Sequence, residues 1–257
     1  MNIIRLKLTP VILCFLGIFG FARAQSKKIN IIYIGDSITY GAFFTDPSKD
    51  APPAKADSVL KSMGIDIVAS SNQGHGGFTT LDFLPHTDAF KQIEVVANKF
   101  KDNGATILFS IMLGTNDSAM DGPLGAPVSK EHYYENLKAI TDQLLMDYPG
   151  SIIVINRQTW YSPNTYNGAR YLQEGLSRLK SYYPQIKHLV SWYRKNNTGK
   201  IYLGDTRGFH YFKANYLTSL RPEDGHQGTF YLHPGKDGAR ALGAFWAKAI
   251  YKSINRN

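Results

Sequence analysis

Four short segments of the chain carry residue types that together could perform acyl transfer. Gly35-Asp36-Ser37 directly follows an apolar run and places a serine hydroxyl, a candidate nucleophile, where a helix could begin. Asn72-Gln73-Gly74-His75-Gly76-Gly77-Phe78-Thr79-Thr80 holds three glycines in four residues, whose backbone N–H groups can turn toward developing negative charge. Gly114-Thr115-Asn116-Asp117 offers a side-chain amide, a neutral donor that can hydrogen-bond an oxyanion without acting as a base. His233-Pro234 supplies an imidazole that can take the serine proton and return it to a leaving group. Each segment alone has a plainer use, since serines cap helices, G-x-N-D closes turns and single histidines are commonly structural. Together they are chemically complementary, and independent chance explains that poorly. Asp36 and Asp117 read as loop-fixing acceptors of backbone N–H groups, and His75 as a candidate substrate contact. His226 and His233 lie seven apart without zinc-site spacing, so neither a metal nor a cofactor is expected.

Those residues need a scaffold, and the surrounding sequence describes one. Short β-branched runs at 28–34, 65–69, 105–112 and 151–155, with a weaker one at 200–203, read as strands covered on both faces, the signature of a parallel sheet. Helical spacing occupies 54–62, 89–101, 130–146, 166–181 and 236–254. Alternating strand and helix implies right-handed crossovers and a three-layer α/β/α sandwich whose ligand site lies at the carboxyl ends of the strands. Three irregular stretches, 40–53, 114–128 and 205–233, are long enough to be functional. No linker or repeat divides residues 25–257, which read as one domain.

The first 24 residues read differently. Arg5 and Lys7 precede an apolar stretch from Pro10 to Ala22, and Ala22-Arg23-Ala24 follows the pattern of a signal-peptide cleavage site. Cleavage after Ala24 would remove Cys14, the only cysteine, leaving an exported chain free of thiols. Leu13 before Cys14 argues against a lipid anchor. The apolar stretch is too short for a membrane span, which needs roughly 20 residues. The full chain has 257 residues, 43% hydrophobic and 19% charged, with a net charge of +9 that falls by three on removal of Arg5, Lys7 and Arg23. Its Lys and Arg residues are scattered along the sequence without a nucleic-acid-binding motif. Attraction to an acidic polysaccharide or cell surface stays open.

The four segments, in this order, resemble the blocks of the SGNH (GDSL) hydrolase family: Gly35-Asp36-Ser37-Ile38, Asn72 to Thr80, Gly114-Thr115-Asn116-Asp117 and His233-Pro234. The resemblance implies the flavodoxin-like fold of that family, with a parallel five-stranded sheet. It also implies Ser37 as nucleophile, His233 as base, and an oxyanion hole made by Asn116, the N–H of Ser37 and the N–H of Gly77, with Gly76 as the neighbouring alternative. One departure stands out. The family usually has an aspartate three residues before the histidine, and here that residue is Phe230. Asp224 is taken as the third member, Glu223 is the other upstream acid, and a backbone carbonyl orienting a Ser-His dyad is the remaining option. The family acts on several esters. Aromatics including Phe43, Phe44, Trp160 and Tyr161 suit sugar rings, and Trp160-Tyr161-Ser162-Pro163 is similar to secreted carbohydrate esterases, making Trp160 a candidate substrate contact. The expected activity is therefore O-deacetylation of a polysaccharide by an exported enzyme, acting on an acylated carbohydrate or other small ester. A lipolytic esterase is the alternative within the class, and a disabled, carbohydrate-binding scaffold the alternative outside it.

Overall fold

A buried parallel sheet accounts for the continuous apolar runs. The computed structural model describes residues 27–196 and 199–256; the expected signal segment, with its cut after Ala24, lies outside them. Strands β1 (Lys28–Gly35), β2 (Asp66–Gly74), β3 (Thr106–Met112), β4 (Ile152–Ile155) and β5 (Lys200–Leu203) pair in parallel in the order β2-β1-β3-β4-β5. In chain order the helices are α1 (Ser37–Tyr40), α2 (Pro47–Asp50), α3 (Pro52–Ser62), α4 (Asp88–Phe100), α5 (Lys130–Asp147), α6 (Leu172–Asn196), α7 (Gly208–Ala214), α8 (Tyr216–Ser219) and α9 (Lys236–Ile254). Helices flank the sheet, with α3 packed on α9 and α5 on α6, which is the α/β/α sandwich expected. β1, β3 and β4 are buried along nearly their whole length. The outer strands differ: β2 alternates between exposed and half-buried positions and β5 is partly open.

Register does the work of assembling the site. Gly35 at the end of β1 lies opposite Gly74 of β2 and Met112 of β3. Ser37, the glycine-rich turn and the Gly114–Asp117 segment therefore leave the sheet at one edge, with the serine between the other two. Gly74 makes the close approach possible, because a Cβ there would lie 2.2 Å from the backbone nitrogen of Tyr40 and 2.7 Å from its Cα. Gly74→Ala is expected to destabilise the protein by about 2 kcal/mol through overpacking against α1, measured as a lowered denaturation midpoint; an unchanged midpoint would contradict that packing.

Three segments depart from the sequence expectation. Helix α6 begins at Leu172 rather than 166 and continues through Pro184 to Asn196. Its start is delayed because 166–170 is tied down, with the Arg170 N–H donating to Asp121 O at 3.0 Å. It continues past Pro184 because Tyr182, Ile186, Leu189 and Tyr193 extend one buried stripe, and that packing outweighs the backbone bond proline forfeits. The stretch 40–53 contains α2 and the start of α3. Most consequentially, 205–233 is largely ordered: it forms α7, α8 and an antiparallel hairpin of β6 (Leu220–Gly225) and β7 (Gly228–Pro234). Leu220-Arg-Pro-Glu-Asp-Gly is a poor strand by composition, and its pairing with β7 makes it one.

Candidate active site

Ser37 is the first residue of α1, and Asp36 caps that helix by accepting the Ile38 N–H at 2.9 Å. The hydroxyl reaches the base directly: Ser37 Oγ lies 2.9 Å from His233 Nε2. On the other side of the ring, His233 Nδ1 is 2.9 Å from both Oε1 and Oε2 of Glu223, and the His233 backbone N–H donates to Oε1 at 3.1 Å. Both side chains are nearly buried, 8% and 9% exposed. An Nδ1–H donated to the carboxylate leaves the Nε2 lone pair facing the serine, the tautomer a general base requires.

The carboxylate that meets the imidazole is therefore that of Glu223, and Asp224, expected in that place, is not there. Successive strand residues point to opposite faces, so with Glu223 turned to His233, Asp224 projects outward and is exposed. The departure at Phe230 is explained by the same ladder. Phe230 is buried and pairs with Glu223 across the hairpin, so the carboxylate missing from β7 arrives from the strand beside it.

Asn116 is buried, and its amide is held at both ends. Nδ2 donates to Phe78 O at 2.8 Å while Oδ1 accepts the Tyr171 hydroxyl at 2.6 Å. An amide nitrogen has two N–H groups, so one remains for an oxyanion. Gly77 has φ +79°, a conformation glycine adopts without strain. Ser37, Gly76, Gly77, Asn116, Tyr171 and His233 line one cleft of about 590 Å³. Phe43, 59% exposed, and Leu124, 58% exposed, stand along it. The Phe43 and His233 rings form a T-shaped pair with centroids 5.0 Å apart, and the Arg221 guanidinium lies 4.3 Å from the phenyl centroid. Tyr171 was invisible to sequence reasoning, since no motif marks a tyrosine that acts through an amide 55 positions away.

Two residues expected to touch substrate do not line this cleft. His75 stacks on Phe78 at 4.8 Å and leans on Phe83, and burial pushes its pKa down; its backbone N–H donates to Gly35 O, so it braces the turn. Trp160 is buried against Tyr216 at a centroid distance of 5.5 Å. Its segment is held beneath the hairpin, where the Ser162 N–H donates to Tyr231 O. Among the described residues no three His, Cys, Asp or Glu side chains cluster as a metal would require, and no helix is long and apolar enough to cross a membrane.

Asp36 and Asp117 sit beneath the site, both fully buried. Asp117 accepts the Thr80 N–H at 3.1 Å and the Thr80 hydroxyl, tying the glycine-rich turn to the Asn116 segment. Burial raises both carboxyl groups, Asp117 to about 7 despite the Thr80 bonds. Between an unfolded pKa near 4 and about 7 the folded state holds the Asp117 proton that the unfolded state releases, so stability falls as pH rises through that window. Asp117→Asn should flatten this dependence by up to roughly 1.4 kcal/mol per pH unit, read from urea midpoints between pH 4 and 7. A slope identical to that of the parent would refute the assignment.

The sequence profile of the GDSL-like lipase/acylhydrolase family matches residues 33–241, and the chain belongs to that family. It is thus an esterase-type hydrolase. No curated protein matches it in sequence. Among solved structures it is similar to Est24, a carbohydrate acetylesterase from Sinorhizobium meliloti, with 14% identity over 87% of this chain and 98% of that one and a TM-score of 0.58. A Clostridium thermocellum family 3 carbohydrate esterase is 18% identical over 88% and 96%, with a TM-score of 0.59. The aryl esterase of M. smegmatis is 14% identical over 88% and 99%, with a TM-score of 0.58. At these identities the likeness is one of fold.

Proposed function

We propose that the protein is a serine esterase that removes O-acetyl groups from carbohydrate, exported by the segment ending at Ala24. The observation that carries the reading is the unbroken relay Ser37–His233–Glu223 beside a half-free Asn116 amide in one open cleft. Ser37 Oγ attacks the ester carbonyl as its proton passes to His233 Nε2, and Glu223 stabilises the imidazolium. The carbonyl oxygen, now negative, is received by Asn116 Nδ2 and the N–H groups of Gly77 and Ser37. The tetrahedral intermediate collapses, His233 protonates the departing sugar oxygen, and water attacks the acyl-enzyme by the same relay to release acetate.

A small acyl group and a polar alcohol fit the cleft, whose lining mixes Asn167 and Asp82 with the exposed face of Phe43. Two of the fold relatives are named as carbohydrate esterases. The disabled-scaffold alternative rests on the aspartate absent at Phe230, and the Glu223 carboxylate 2.9 Å from His233 Nδ1 argues against it. Acetate release from p-nitrophenyl acetate and from an acetylated polysaccharide, compared with Ser37→Ala, tests the reading. Release from both that the substitution abolishes is the expected result. Activity retained by Ser37→Ala would overturn the mechanism, and release confined to long-chain esters would replace the carbohydrate substrate with a lipid one.

A further inference from the structure

Cations scattered in sequence converge on the open edge of the sheet. Residues 175–204, which span most of α6 and all of β5, contain no Asp or Glu, and neither do residues 238–257, which include most of α9. The fold brings these two acid-free stretches together along β5. One cleft there, of about 820 Å³, is lined by Lys187 and Arg194 of α6, Tyr202 of β5 and Arg256 beyond α9. A second, of about 410 Å³, is lined by Arg207, Lys252 and again Arg256. Leu203 and Arg256 belong to both, so the two form one groove.

The charges in this groove are not cancelled locally. Among the described residues Lys187, Arg194, Lys252 and Arg256 make no ion pair, and Arg207 reaches only Asp205, at 3.7 Å. Asp205 is itself buried and spent on the N–H groups of Arg207 and Gly208. Asp142, the acid behind Tyr193, is held by Lys138 and the Tyr193 hydroxyl. Arg256 lies over the Tyr202 ring at 5.6 Å, so cation and aromatic face are offered together. Blunting an open strand edge against self-association needs a charge or two; a groove walled by five cations, from α6, α9, the loop before α7 and the segment after α9, exceeds that need.

We propose that this groove binds an acidic polysaccharide, a polyuronate chain whose carboxylates pair with these cations while its sugar rings pack beside Tyr202. The inference rests on the carbohydrate reading above and names its polymer as anionic. Geometry links the two sites. The groove follows β5 from Arg194 and Gly199 at its amino end to Leu203 and Arg207 at its carboxyl end, the end of the sheet at which Ser37 stands, and β5 lies three strand spacings from β1, roughly 14 Å. A chain held there is presented to the esterase cleft at high local concentration.

Binding to polygalacturonate, dextran and single-stranded DNA, read by direct titration without turnover, tests the proposal on the full protein and on a variant combining Lys187→Gln, Arg194→Gln, Lys252→Gln and Arg256→Gln. The parent should bind polygalacturonate in a salt-sensitive manner and ignore dextran. The variant should lose affinity by at least about tenfold with p-nitrophenyl acetate turnover unchanged. Equal affinity in parent and variant, or no binding by the parent, would overturn the groove, and tighter binding of DNA than of polyuronate would reassign it to nucleic acid. Binding by a protein that hydrolyses no ester would sustain the groove and defeat the esterase reading, so the two fail separately.

Discussion

Glu223→Ala should lower kcat on a small acetate ester by about 10⁴-fold, while Asp224→Ala leaves it unchanged. The two acids are adjacent in sequence, and only one faces the ring. Losing Glu223 removes the acceptor for His233 Nδ1–H and for the His233 backbone N–H together. The imidazole is then free to adopt the tautomer that presents a proton, instead of a lone pair, to Ser37. Glu223→Gln preserves shape but not charge and should recover little. Steady-state kinetics on purified variants, with thermal melts to establish folding, decide the matter. A loss at Asp224 with none at Glu223 would reverse the assignment.

The second large effect is expected at Asn116. Asn116→Ala removes an oxyanion donor and should cost about 10²- to 10³-fold in kcat, or roughly 3–4 kcal/mol, with KM nearly constant because the bond is made in the transition state. Tyr171→Phe offers a graded version. It keeps the ring and deletes only the hydroxyl that pins Asn116 Oδ1, so kcat should fall by about tenfold as the amide loses its fixed orientation. A rise in KM at constant kcat in either variant would mean that the residue binds substrate uniformly and does not stabilise the oxyanion.

Which residues were legible follows from how each is positioned. Ser37 and Asn116 sit where continuous buried strands stop, and such strands announce themselves by their apolar runs. His233 was legible by its type and its place before the last helix. Glu223 was harder, because Leu220–Gly225 becomes a strand only through pairing, and without a strand there is no alternation to choose Glu223 over Asp224. Tyr171 could not be read at all, since its contribution is a side-chain bond across the molecule. His75 and Trp160 mislead for one reason: a ring near a glycine-rich turn or strand end serves packing as readily as recognition, and burial decides which. The cationic groove is not legible in the sequence because its members come from α6, β5, the loop before α7, α9 and the segment after it, and adjoin only once the sheet forms.

The β6–β7 hairpin carries His233 and Glu223 on one covalent ribbon, joined by a tight turn, while Ser37 opens α1 just past the end of β1. Rigid displacement of that ribbon leaves the His233–Glu223 pair whole while it parts His233 from Ser37. Within the series Ser37–His233–Glu223 the joint between ribbon and scaffold is thus one hydrogen bond of 2.9 Å. Small excursions of the hairpin would idle the enzyme reversibly without dismantling the charge pair that must be ready when the serine returns.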